Sequence, residues 1–151
     1  MTPQTLTEKG FAPYGRILAV PDRRLDGSAE AYDFWRGIAL IAGETSLNIL
    51  RAKRRAFVFD RMERHNRSPE AMIVLSGACL LPVAPAGPLD PGTAGLFRMN
   101  PGDAVVLDQG CWHWVPFPLG ESSTIVVVFT ASTPDGDVEV RPLGTTVEIE
   151  V

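Results

Sequence analysis

Two stretches decide how this chain is read. The first is Glu63-Arg64-His65-Asn66-Arg67-Ser68-Pro69-Glu70, followed by an apolar run that ends at Gly77. The second is Gly102-Asp103-Ala104-Val105-Val106-Leu107-Asp108-Gln109-Gly110-Cys111-Trp112-His113. Together they hold both histidines of the 151 residues. Side chains at i and i+2 of an extended strand share a face, so Glu63 and His65 point the same way. Glu63 and Glu70 would be costly to bury unless paired, protonated or bound to a cation. If all four groups face one interior, Glu63, His65, Glu70 and His113 form a His2Glu2 set suited to one divalent metal. The plainer alternative is two hydrogen-bonded core histidines and a rim ion pair for Glu63.

Outward from these stretches, the chain reads as short strands. Segments 34–42, 46–52, 56–63, 71–75, 79–83, 95–99, 104–107, 124–130, 138–141 and 146–151 are rich in Val, Ile, Leu or Phe and bounded by turn residues. Residues 4–10 read as one helical turn with Thr5 or Thr7 as its N-cap, residues 17–20 as extended, and residues 22–33 as a polar loop. No amphipathic helix of 10–15 residues separates the strands. With 14 Gly and 13 Pro, well above the usual share of about 12%, turns are abundant. An all-β sandwich, barrel or jelly roll follows, as one domain over residues 1–151.

A net charge of −4 and a pI near 5.1 argue against a nucleic-acid partner. The start lacks the basic and apolar regions of a signal peptide, and no apolar run approaches the ~20 residues a bilayer crossing needs, so no membrane partner is expected. Cys79 and Cys111 form no C-x-x-C pair and read as buried reduced thiols, which points to the cytoplasm.

The two stretches resemble the paired motifs of the cupin superfamily, whose fold is a double-stranded β-helix related to the jelly roll. Glu63 stands at the first histidine position of the first motif, and His65, Glu70 and Gly77 fall at the expected spacings. Gly102, Gly110 and His113 fit the second motif, with Asp108 in place of its proline. A narrower resemblance, to the ureidoglycolate lyase family, is carried by Glu63-Arg64-His65, Gly77, Trp112-His113 and the opening Phe11-Ala12-Pro13-Tyr14-Gly15. It spans about residues 11–143. It implies a cupin-like barrel, a homodimer, and a carbon–nitrogen lyase of the amidine-lyase type. The reaction implied is release of urea and glyoxylate from ureidoglycolate in the allantoin branch of purine catabolism. Members compared usually have Gln at the position of Glu70 and Pro at that of Asn66. Glu70 restores a feature of metal-binding cupins.

On that reading His65, His113 and Glu63 or Glu70 move protons, and the same four residues are the candidate ligands of one divalent metal of open identity. No organic cofactor is expected. Arg51 matches the family best within the basic run 51–55 and would hold the carboxylate of a small substrate; Lys53, Arg54 and Arg55 read as a solvated strand face. By alternation His113, Val115 and Phe117 would share one face and Trp112 and Trp114 the other, the tryptophans as core or dimer contacts. Asp108 reads as a turn residue. The rival readings are a metal-dependent cupin oxygenase or isomerase and a non-catalytic small-molecule-binding cupin.

Overall fold

The computed structural model describes residues 1–24 and 26–151. Fourteen strands are described: β1 (Gln4–Thr5), β2 (Gly15–Ile17), β3 (Gly27–Ala29), β4 (Tyr32–Phe34), β5 (Thr45–Lys53), β6 (Val58–Arg64), β7 (Glu70–Ser76), β8 (Cys79–Ala84), β9 (Gly95–Met99), β10 (Ala104–Leu107), β11 (Trp112–His113), β12 (Phe117–Pro118), β13 (Ser122–Thr130) and β14 (Glu139–Glu148). Two four-residue α-helices, α1 (Glu8–Phe11) and α2 (Thr133–Gly136), and one 3-10 turn (Pro91–Thr93) complete them. Thr7 caps α1, its hydroxyl accepting the Gly10 N–H. No described helix is long and apolar enough to cross a membrane.

A seven-stranded sheet runs β1-β9-β8-β11-β6-β14, with β12 also on β8, and a five-stranded sheet runs β2-β10-β7-β13-β5. Pairing is antiparallel throughout except between β1 and β9. This is the all-β arrangement of packed sheets expected from the strand pattern. The sheets share a core in which Met72, Val74, Val105, Ile125 and Val127 of one meet Leu81, Val83, Phe97 and Met99 of the other. A second cluster, built on Trp112, Phe117, Leu80, Leu96, Phe59 and Met62, covers the opposite face of the seven-stranded sheet. β8 is therefore buried along its whole length, an apolar run rather than an alternating one.

Gly77 closes the β7–β8 turn at φ +71°, a left-handed conformation that side chains resist. A Cβ there would stand 2.2 Å from the Ser122 carbonyl oxygen.

Several expectations are corrected. The strand read over 34–42 ends at Phe34, because Gly37 and Gly43 at φ +65° and +80° break the extended run. The loop read over 22–33 instead carries the β3–β4 hairpin. The strands read over 138–141 and 146–151 are one strand, β14, which begins at Glu139, stops at Glu148 and shifts its register on β6 between Pro142 and Val147. Alternation fails after His113, where the chain leaves β11 before Pro116 and re-enters at β12, so Phe117 joins the Trp112 cluster rather than the histidine side. Arg55 is not solvated: its guanidinium lies 3.8 Å over the Phe117 ring and donates to the Val115 and Pro116 carbonyls.

Candidate active site

The site lies between the sheets, at the end where β6 finishes and β7 begins. β6 delivers Glu63 and then His65 just beyond its end, and β7 opens with Glu70 facing inward beside Met72 and Val74. His113 arrives from far along the chain on the two-residue β11, directly opposite Glu63 and flanked by Val83 of β8. Alternation sends Trp112 into the outer cluster and His113 into the cavity.

Three of the four expected groups converge. His65, Glu70 and His113 are buried, and one donor atom from each lies within 4.8 Å of the others. His65 Nε2 is 2.9 Å from Glu70 Oε2, and His113 Nε2 is 3.6 Å from that same oxygen. Glu63 stands at the edge, a quarter exposed, with Oε1 3.7 Å from His113 Nε2. Each ring is fixed from behind: His65 Nδ1 is 2.7 Å from the Asp137 carbonyl oxygen, and His113 Nδ1 is 3.2 Å from that of Cys111. A carbonyl oxygen only accepts, so both Nδ1 atoms carry the hydrogen, and the neutral form of either ring would present an Nε2 lone pair to Glu70.

Two lone pairs 2.9 Å apart repel unless something positive lies between them. Without a cation that must be a proton shared by His65 and Glu70. Burial opposes charge on His65, yet the bonds to Glu70 and the Asp137 carbonyl, with the charges of Glu70 and Glu63, outweigh it and raise its pKa above the ordinary value. A divalent ion satisfies the same geometry. Ligands bound at about 2.1 Å lie roughly 3.0–3.5 Å from one another at octahedral or tetrahedral angles, close to the 2.9 and 3.6 Å that separate the two histidine nitrogens from Glu70. Imidazoles whose Nδ1–H is held by a backbone carbonyl are also the usual second shell of a metal site.

The surrounding cavity, of about 310 Å³, is lined by Glu63, His65, Glu70 and His113 together with Asn48, Met72, Val127, Phe129, Thr133 and Val138, among others. No Arg or Lys is among its lining residues. Arg51 is exposed on β5, alternating with Leu50 and Ala52, which face the interior. The geometry thus gives no support to Arg51 as the carboxylate anchor. Asp108 is an exposed turn residue, its carbonyl accepting the Cys111 N–H and its carboxylate 3.4 Å from Arg16.

Asn48 and Asp137 escaped the sequence reading. Asp137 ends the turn-forming run Thr133-Pro134-Asp135-Gly136-Asp137, whose composition signals a turn but not its neighbour; Asn48 interrupts an apolar strand with nothing to mark its role.

The model of the ureidoglycolate lyase family matches residues 1–150. The ureidoglycolate lyase of Rhodobacter capsulatus is 30% identical over 134 residues, covering 83% of each chain. That of Brucella ovis is 31% identical over 147 residues, covering 89% of this chain and 85% of its own. Among solved structures, an oxalate oxidase in complex with the substrate analogue glycolate superposes with a TM-score of 0.48 at 22% identity, covering 66% of this chain and 46% of that one. A Bacillus subtilis oxalate decarboxylase gives 0.46 at 16%, covering 66% and 24%. On the strength of the match across nearly its whole length, the chain belongs to the ureidoglycolate lyase family.

Proposed function

We propose that this protein, one cupin-like domain over residues 1–151, is a ureidoglycolate lyase that releases urea and glyoxylate. The observation that carries the reading is the division of labour among the four polar groups. His65, Glu70 and His113 form a buried trio with tethered rings, whereas Glu63 stands outside it, facing the cavity with no hydrogen-bond donor of its own among the described residues.

The reaction is a retro-addition. The carbinol O–H loses its proton, the oxygen electrons form the aldehyde C=O of glyoxylate, the C–N bond breaks, and its electron pair on nitrogen takes up a proton to give urea. The net change moves one proton from oxygen to nitrogen on the same carbon. One carboxylate reaching both positions suffices, and Glu63, at the edge of the cavity, is the carrier we propose. His65, Glu70 and His113 would hold one divalent ion, with Glu63 at its border; when bound, the ion supplies Lewis-acid polarisation of substrate oxygens and the positive charge that a carboxylate-bearing substrate needs in this arginine-free cavity.

The assembly we propose is a homodimer. The outward face of the five-stranded sheet carries Leu47, Ile49 and Leu75, at 76%, 65% and 54% exposure. Ile49, Val126 and Ile73 form one apolar row across three strands. The location we propose is the cytoplasm, in keeping with two buried free thiols, Cys79 and Cys111.

The test is incubation of the purified protein with ureidoglycolate, with and without added Mn, Ni or Zn. Urea and glyoxylate in equal amounts are expected. Turnover of no ureidoglycolate under any of these conditions would end the lyase reading. Oxygen uptake would then point to a cupin oxygenase, and ligand stabilisation without turnover to a binding cupin.

A further inference from the structure

The amide of Asn48 is held in one orientation. Its nitrogen lies 3.2 Å from the Val127 carbonyl oxygen, 3.4 Å from that of Ser46 and 3.0 Å from the Ser46 hydroxyl. Carbonyl oxygens only accept, so the group facing them is the NH2, and Oδ1 must face the other way. Oδ1 receives no hydrogen bond from the described residues. No buried side-chain nitrogen or oxygen among them lacks a partner, so Oδ1 is open rather than sealed, and Asn48 lines the cavity.

The rest of the lining has the same bias. Glu63 and Glu70 are carboxylates, and the ring N–H groups of His65 and His113 are spent on backbone carbonyls. The Thr133 hydroxyl is the remaining donor among the polar lining residues. Such a cavity favours a ligand that brings N–H groups of its own. An unshared carbonyl oxygen repels a carboxylate and accepts from an amide.

We propose that Asn48 is the residue that recognises the ureido end of the substrate, its Oδ1 accepting from the terminal NH2. This rests on the lyase reading and deepens it. It assigns the discrimination between a ureido group and an ordinary acyl-amino group to one side chain. A site built around a substrate N–H rejects an analogue lacking it, because the acceptor is then left unpaired.

The experiment compares ureidoglycolate with 2-acetamido-2-hydroxyacetate, in which a methyl group replaces the terminal NH2; both yield glyoxylate. The wild-type protein should favour ureidoglycolate by about 10- to 100-fold in kcat/KM. Asn48→Leu and Asn48→Ser should bring the two within about 3-fold, chiefly through loss on ureidoglycolate. Because the readout is a ratio on one sample, a partly unfolded variant does not distort it. An unchanged ratio in both variants overturns the assignment. A second arm needs no turnover: calorimetric binding of oxalurate and of N-acetyloxamate, which differ by the same NH2-to-methyl change. If the wild type cleaves nothing, the lyase reading fails. A preference for oxalurate that vanishes in both variants then still upholds Asn48, and its absence in the wild type refutes it.

Discussion

Asp137 holds His65 twice over. Its backbone carbonyl oxygen takes the Nδ1 hydrogen of the ring at 2.7 Å, and its carboxylate accepts the backbone N–H groups of Asn66 and Arg67 at 2.8 Å each. The turn that leaves β6 is thus pinned to the segment after α2 by two backbone bonds, and the ring itself is held by a third. Asp137→Ala should lower unfolding free energy by about 1–3 kcal/mol in urea titrations. It should also lower kcat at saturating metal. Asp137→Asn, which keeps one acceptor oxygen, should fall between the two proteins.

Ligand and base separate by mutation. Glu70→Ala and His113→Ala should lose the divalent ion in elemental analysis, along with activity. Glu63→Ala should keep the metal and lose about 10²- to 10⁴-fold in kcat, the usual contribution of a positioned proton carrier. Metal loss in Glu63→Ala with full content in Glu70→Ala would reverse these roles.

Gly77→Ala should cost about 2 kcal/mol or more, since it combines a left-handed backbone with a Cβ driven onto the Ser122 carbonyl. Thermal melts would register this as a drop in Tm with little change in KM.

Glu139 supplies the pH dependence. Hydrogen bonds from Arg64, then Asn66 and Arg141, hold its carboxyl down at about 2 against an ordinary 4.5. A lowered folded-state pKa stabilises the fold fully above the unfolded value and is lost as pH falls through the folded one. The Tm gap between wild type and Glu139→Gln should therefore be widest above pH 5 and close progressively below about pH 4. A gap that widens on acidification would contradict the pairing.

Leu47→Glu places a charge on the exposed face of β5 beside Ile49 and should convert dimer to monomer in light scattering at micromolar concentration. A wild type already monomeric there disproves the dimer.

Much of this was legible in the sequence because the strands are short and apolar and their boundaries are Gly, Pro or Asp. Segments 95–99 and 104–107 match the structure residue for residue. Glu63, His65, Glu70 and His113 could be singled out because they fall at the spacings of the two cupin motifs and include both histidines of the chain. Arg51 was misplaced because alternation along a strand does not say which face is inward; register against β13 settles that. Asp137 and Asn48 were invisible because they act through orientation: one through a backbone carbonyl, which every residue has, the other through which end of an amide faces the cavity. Arg55 looked solvated because charge says nothing of the Phe117 ring beneath it.

The order of the donors along the chain has a consequence for biosynthesis. Glu63, His65 and Glu70 leave the ribosome together, whereas His113 follows only after β8, β9 and β10 have been made. It is then wedged between β6 and β8 on a strand two residues long. A nascent chain therefore shows a carboxylate-rich half-site long before it can enclose an ion. On the proposed metal reading, capture of the ion would be a late event, coupled to the closing of this long loop and to the burial of Trp112 on the opposite side of the same strand. The second imidazole, and with it the full donor set, would be the last part of such a site to arrive.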